Sequence, residues 1–154
     1  VAPSTHLAEE IALLDTLPVF EGFGREALQI VAFSCDIRLA RAGETLFREG
    51  AISDCGYVVL SGAVTLETAA GETAIHGRGA LIGAQALIAP VTRPATARMR
   101  EEGQIMRIPR TLMRRVLEAF PENAERLAAR VGSEAEATLE AAKRALDALA
   151  PREG

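Results

Sequence analysis

At Cys35 the hydrophobic period of this 154-residue chain drops from about 3.6 residues to about 2, the change that separates a helix from a strand. Cys35, Ile37 and Leu39 alternate with Asp36 and Arg38, and further short apolar or β-branched runs follow at Thr45-Leu46-Phe47, Tyr57 to Leu60, Val64 to Leu66 and Thr73 to Ile75. Gly43, Gly50, Gly62, Gly71, Gly77 and Gly79 punctuate them. Short strands broken by glycine turns at intervals of roughly 8–12 residues predict a small antiparallel sandwich or barrel. The glycines are read as architectural, because tight turns need a positive φ that a Cβ penalises.

Helical spacing flanks this region on both sides. Leu7, Ile11, Leu14 and Leu17 line one face of a segment that Pro18 ends, and Leu28, Val31 and Ala32 share a side of a second segment, Arg25 to Phe33. After a last strand at Gln104 to Ile108, Thr111 to Phe120 is helical again, with Leu112, Val116 and Leu117 on one side and Arg110, Arg114 and Arg115 on the other. Pro121 suits the first turn of another helix. From Ala124 to Leu149, Ala128, Gly132, Ala135, Leu139, Ala142, Leu146 and Leu149 step by four and three, a heptad seam that one helix cannot bury alone.

Composition narrows the function classes. A formal net charge of −4 argues against nucleic acid held by this chain's own electrostatics. No apolar run approaches the roughly 18 residues of a membrane span, so the chain reads as soluble and cytoplasmic with no membrane partner. Cys35 and Cys55 form no CxxC pair and read as two buried free thiols. His6 and His76 stand apart from each other and from any plausible nucleophile, so neither a catalytic constellation nor a metal set emerges. The reading is a non-enzyme without a resident cofactor.

The stretch Gly79 to Met99, GALIGAQALIAPVTRPATARM, carries the binding chemistry. Gly83-Ala84-Gln85-Ala86-Leu87-Ile88 can open a helix, a proline-bracketed loop follows, and Arg93 stands just before a strand start at Ala95-Thr96-Ala97. Unpaired N–H groups at a helix start beside a bidentate guanidinium make a small anion pocket. With Ile82, Gly83, Ala84, Gln85, Ala86, Leu87 and then Arg93, Pro94, Ala95, Thr96, the stretch resembles the phosphate-binding cassette of cyclic-nucleotide-binding domains. The offset of nine between positions 84 and 93 matches that family's spacing. Ala42 to Gly50 and Tyr57 to Val64 resemble two further turn motifs of the same family, in the same order, over about residues 11 to 130.

The resemblance implies an α+β fold: an antiparallel β-roll, akin to a double-stranded β-helix or jelly roll, with N-terminal helices, a short cassette helix and long C-terminal helices. It implies one domain over 1–154, divided into helices at 5–33, the roll at 34–109 and C-terminal helices at 110–150. Its ligand-binding residues would be Gly83, Ala84, Gln85, Ala86, Arg93, Pro94 and Thr96, and its ligand cyclic AMP, cyclic GMP or another small anion. The implied partner is a second copy through the 124–149 helix. Two departures stand out. Ala84 replaces the glutamate that would accept a ribose hydroxyl, and Pro94 has no N–H to give to a phosphate. Those losses together lower nucleotide affinity by on the order of a hundredfold. Arg93 could instead be an exposed loop arginine paired to a nearby carboxylate, Thr96 a strand threonine with its hydroxyl satisfied, and Gln85 either a ribose contact or an outward side chain. The function expected is a regulatory ligand sensor. Alternatives are a ligand-free dimerisation scaffold, or the sensor half of a transcription regulator without its DNA-binding domain.

Overall fold

The computed structural model describes residues 3–132. The seam from Ala135 to Leu149 lies outside the described residues. Helix α1 spans Pro3–Asp15, a 3-10 turn covers Pro18–Phe20, and α2 spans Arg25–Ser34. Eight strands follow: β1 Asp36–Ala40, β2 Thr45–Phe47, β3 Cys55–Val59, β4 Ala63–Glu67, β5 Thr73–His76, β6 Leu81–Ile82, β7 Thr96–Glu101 and β8 Gly103–Pro109. A 3-10 turn at Ala84–Leu87 separates β6 from β7, and α3, Arg110–Ala119, leaves directly from β8. A further helix, α4, occupies 122–132.

The strands form two four-stranded antiparallel sheets, ordered β1-β8-β3-β6 and β2-β7-β4-β5. The change of period predicts an antiparallel sandwich or barrel, and the β-roll with flanking helices is the form of it that the family resemblance implies. The first sheet is covered on both faces. Val58 and Met106 join Leu14, Phe20, Leu28, Leu112, Met113 and Leu127 beneath the helices, whereas their neighbours Val59 and Ile105 face Val64, Ala97 and Met99 of the second sheet. A strand buried on both sides needs apolar residues at successive positions, which is why Tyr57-Val58-Val59-Leu60 reads as one continuous run.

The outer strand β1 departs from its pattern. Leu39 is 55% exposed and Ala40 is the buried residue, because β1 is a sheet edge whose Ile37 to Ala40 pair only with β8. In α4, Leu127 and Val131 are buried, while Ala128 and Gly132, the first two positions of the heptad seam, are exposed. Asn123 anchors this helix by donating from Nδ2 to the Phe23 carbonyl at 3.0 Å, and Arg126 donates to the Gly22 carbonyl at 2.6 Å. Both cysteines are free, Cys55 fully buried and Cys35 partly so. Among the described residues no helix is long and apolar enough to cross a membrane.

Candidate ligand site

The site is built where the two sheets meet the loop 88–95. That loop is fixed as an added strand-like segment: Arg93 N–H donates to Ala51 O at 2.8 Å, Gly50 N–H to Arg93 O at 2.9 Å, and Ser53 N–H to Val91 O at 2.9 Å. Ser53 Oγ accepts from Val91 N–H at 3.1 Å. Four backbone groups of the loop, the N–H and C=O of Val91 and of Arg93, therefore have their partners in segment 50–53, and Arg93 enters the interior from a rigid base.

Arg93 is 4% exposed. Its Nη2 donates to the Cys55 carbonyl at 2.7 Å and lies 3.6 Å from Cys55 Sγ. Its guanidinium carbon stands 4.1 Å from the centre of the Phe47 ring and 5.9 Å from that of Tyr57, and the two rings are stacked 5.9 Å apart. Among the described residues Arg93 has no carboxylate partner. The alternative of an exposed arginine stapled to a local acid does not hold: the cation is buried on a π face and one carbonyl. Burial also pushes the Cys55 thiol upward and the Tyr57 phenol up to about 12, so both stay neutral beside the guanidinium.

Gly83 makes room for this arrangement. It is left-handed, with φ 78° and ψ 43°, and a Cβ there would lie 2.5 Å from Arg93 Nη1. Glycine is thus required twice, for the backbone conformation and for the guanidinium beside it. The turn after it is 3-10, not a longer helix. Ala86 N–H bonds to Gly83 O at 3.0 Å, so of the four main-chain donors expected there, the Ala86 group is already occupied. Ala84 is buried, and Gln85 is half-buried. Pro94 is exposed, and Thr96 opens β7, where its Oγ1 accepts from Glu49 N–H at 2.9 Å. A cyclic nucleotide is the ligand that the sequence resemblance implies for these residues. It would find no carboxylate at position 84 for a ribose hydroxyl and no N–H at position 94.

The residues that sequence periodicity does not reveal are Phe47, Cys55 and Arg110. Arg110 was expected on the outer side of α3, yet its Nη1 donates to Ser53 O at 3.0 Å and to Ala86 O at 3.1 Å, and its own N–H donates to Asp54 O at 2.8 Å. It sits at the first turn of the helix, where the direction of the chain leaving β8 turns it inward. The 84–87 turn is thereby tied to the start of α3. Leu87, 1% exposed, adds an apolar contact in the same core cluster as Leu112, Met113 and Val116. Among the described residues no group of three or more His, Cys, Asp and Glu could hold a metal ion.

Comparison with known proteins agrees with this fold. The family model described as the cyclic nucleotide-binding domain matches residues 37–120. A cyclic nucleotide-binding-like protein from Brucella abortus is 40% identical, with a TM-score of 0.66, over 71% of this chain and 98% of that one. The N-terminal domain of a transcriptional regulator from Streptomyces coelicolor is 28% identical, with a TM-score of 0.71, over 84% of this chain and 93% of that one. Patatin-like phospholipase domain-containing protein 6 of Mus musculus is 27% identical over 100 residues, which is 62% of this chain but only 7% of that protein's length. With a family match across more than half of its residues, the chain belongs to the cyclic nucleotide-binding domain family.

Proposed function

We propose that this domain is a regulatory sensor in which an anionic ligand at Gly83, Ala84, Gln85, Arg93, Pro94 and Thr96 shifts the position of the C-terminal helices. The observation that carries the reading is Arg93: a guanidinium buried to 4% exposure, without a carboxylate partner among the described residues, against a turn that Arg110 ties to α3. An anion entering there gains charge-assisted hydrogen bonds from a cation already desolvated. The transmission path is short. A ligand that draws in the 84–87 turn moves Ala86 O and Leu87, and both contact α3. A groove of about 240 Å³ between Leu87, Ile88, Arg110, Arg114, Leu117 and Glu118 leaves the turn and helix room to shift. Such a switch needs the ligand to favour one helix arrangement over the other. Cyclic AMP and cyclic GMP are the first candidates, weakened by Ala84 and Pro94. Calorimetric titration of both into wild type and Arg93→Ala tests this. Heat from wild type that Arg93→Ala abolishes supports the site, and equal heats from the two proteins remove Arg93 from it.

The two departures favour a second reading, a roll that has lost its ligand and acts as a dimerisation module. Exposed Ala128 and Gly132, small residues on the face of α4 away from the core, support a second copy as partner. Melting against a nucleotide panel separates the two, since a ligand at a hundred times its Kd adds about 2.7 kcal/mol of stability. Likeness to the N-terminal domain of a transcriptional regulator supports a sensor half whose output lies in another domain.

A further inference from the structure

The guanidinium of Arg93 has a face and two edges, and each meets something different. One face lies on the Phe47 ring, with 4.1 Å between Cζ and the ring centre. The Nη2 corner is bound to Cys55 O at 2.7 Å. The remaining edge, Nε and Nη1, has no acceptor among the described residues, and Nη1 stands against Gly83 at the head of the 84–87 turn.

Phe47 reaches this position through an irregularity in the sheet. β2 pairs with β7 as Thr45 opposite Arg98 and Phe47 opposite Ala97, so one residue is skipped between them. A bulge of this kind redirects the side chain that follows it. Phe47 then stacks on Tyr57 of the other sheet, and the two rings stand as a wall beside the arginine. A ring covering the guanidinium face removes water from that side without using any of its five in-plane donors.

We propose that Phe47 is the positioning residue for the anion site: its ring, held by the β2 bulge and by Tyr57, fixes the plane of Arg93 so that the Nε and Nη1 edge faces a ligand at the Gly83 turn. This rests on the anion-site reading above for its ligand, whereas the contact between the ring and the guanidinium does not depend on it. An arginine held in this plane selects anions that accept two parallel hydrogen bonds, such as a phosphodiester or carboxylate.

The test uses arginine side-chain nuclear magnetic resonance together with calorimetry on wild type, Phe47→Tyr and Phe47→Leu. In wild type, the Arg93 signal, identified by its loss in Arg93→Lys, is displaced by the ring and shows slow rotation about Nε–Cζ. Phe47→Tyr keeps both signatures. Phe47→Leu keeps a cooperative melt but loses them, and binds cyclic AMP about tenfold more weakly than wild type, with Phe47→Tyr within about twofold. A rapidly rotating, undisplaced Arg93 in wild type overturns the positioning role whatever binds. Equal cyclic AMP affinity in Phe47→Leu and wild type overturns it too. No heat from cyclic AMP with wild type, beside a slow and displaced Arg93 signal, sinks the ligand reading alone and leaves the ring's hold on the guanidinium standing.

Discussion

Replacing Gly83 with alanine should damage the fold by two separable routes. The residue is left-handed at φ 78°, where a Cβ costs roughly 1–2 kcal/mol. The added Cβ would also lie 2.5 Å from Arg93 Nη1, about 1 Å inside ordinary contact, and the guanidinium is pinned by Phe47 and Cys55 O so it cannot simply swing aside. Overpacking of that size costs roughly 1–3 kcal/mol. The total for Gly83→Ala is then about 2–5 kcal/mol, a fall in Tm of about 5–15 °C for a chain of this length. In the Arg93→Ala background the clash has no second party, and only the backbone cost of about 1–2 kcal/mol remains. Urea denaturation of wild type, both single variants and the double variant closes a cycle. The expected coupling between positions 83 and 93 is about 1–3 kcal/mol. Additivity within about 0.5 kcal/mol would refute the placement of the guanidinium beside Gly83.

Two other perturbations follow from the same structure. Arg110→Met keeps an unbranched apolar stem but leaves Ser53 O and Ala86 O without their charged donor, which lowers stability by roughly 2–3 kcal/mol in urea denaturation and loosens the 84–87 turn from α3. Burial raises both thiols, Cys35 to about 12, so neither reacts with iodoacetamide in the native protein at pH 8 and both react once urea unfolds it. Because the folded thiol holds its proton where the unfolded one has lost it, this contribution to stability is intact below the ordinary thiol value of 9.0 and is lost as pH rises from there toward about 12. A Tm that climbs over that interval would contradict the burial of Cys35.

The change of period at Cys35 and the glycine spacing carry the two-sheet roll, because alternation records which side of a strand is wet. The same signal fails at β1, where Leu39 alternates as a core residue does yet is 55% exposed at a sheet edge. The cassette frame from Gly83 to Arg93 is local in sequence and was legible for that reason. What holds the arginine is not local. Phe47 and Cys55 come from strands of different sheets, and the bulge that aims Phe47 is a property of its pairing with β7 rather than of Thr45-Leu46-Phe47 itself. Arg110 was misplaced for a related reason. It follows the helical period of α3, but as the first residue after β8 it points where the strand leaves off, toward Ser53 and Ala86. Buried cations bonded to carbonyls have no hydrophobic signature, so composition along the chain does not reveal them.

The central claim is that filling the site beside Arg93 is felt at α3, and amide hydrogen exchange across Arg110–Ala119 with and without saturating cyclic AMP tests it most directly. Changed protection in this helix for wild type, absent from Arg93→Ala at the same nucleotide concentration, is the predicted result. Identical exchange in the wild-type helix with the nucleotide bound, or the same change in the variant, would contradict it.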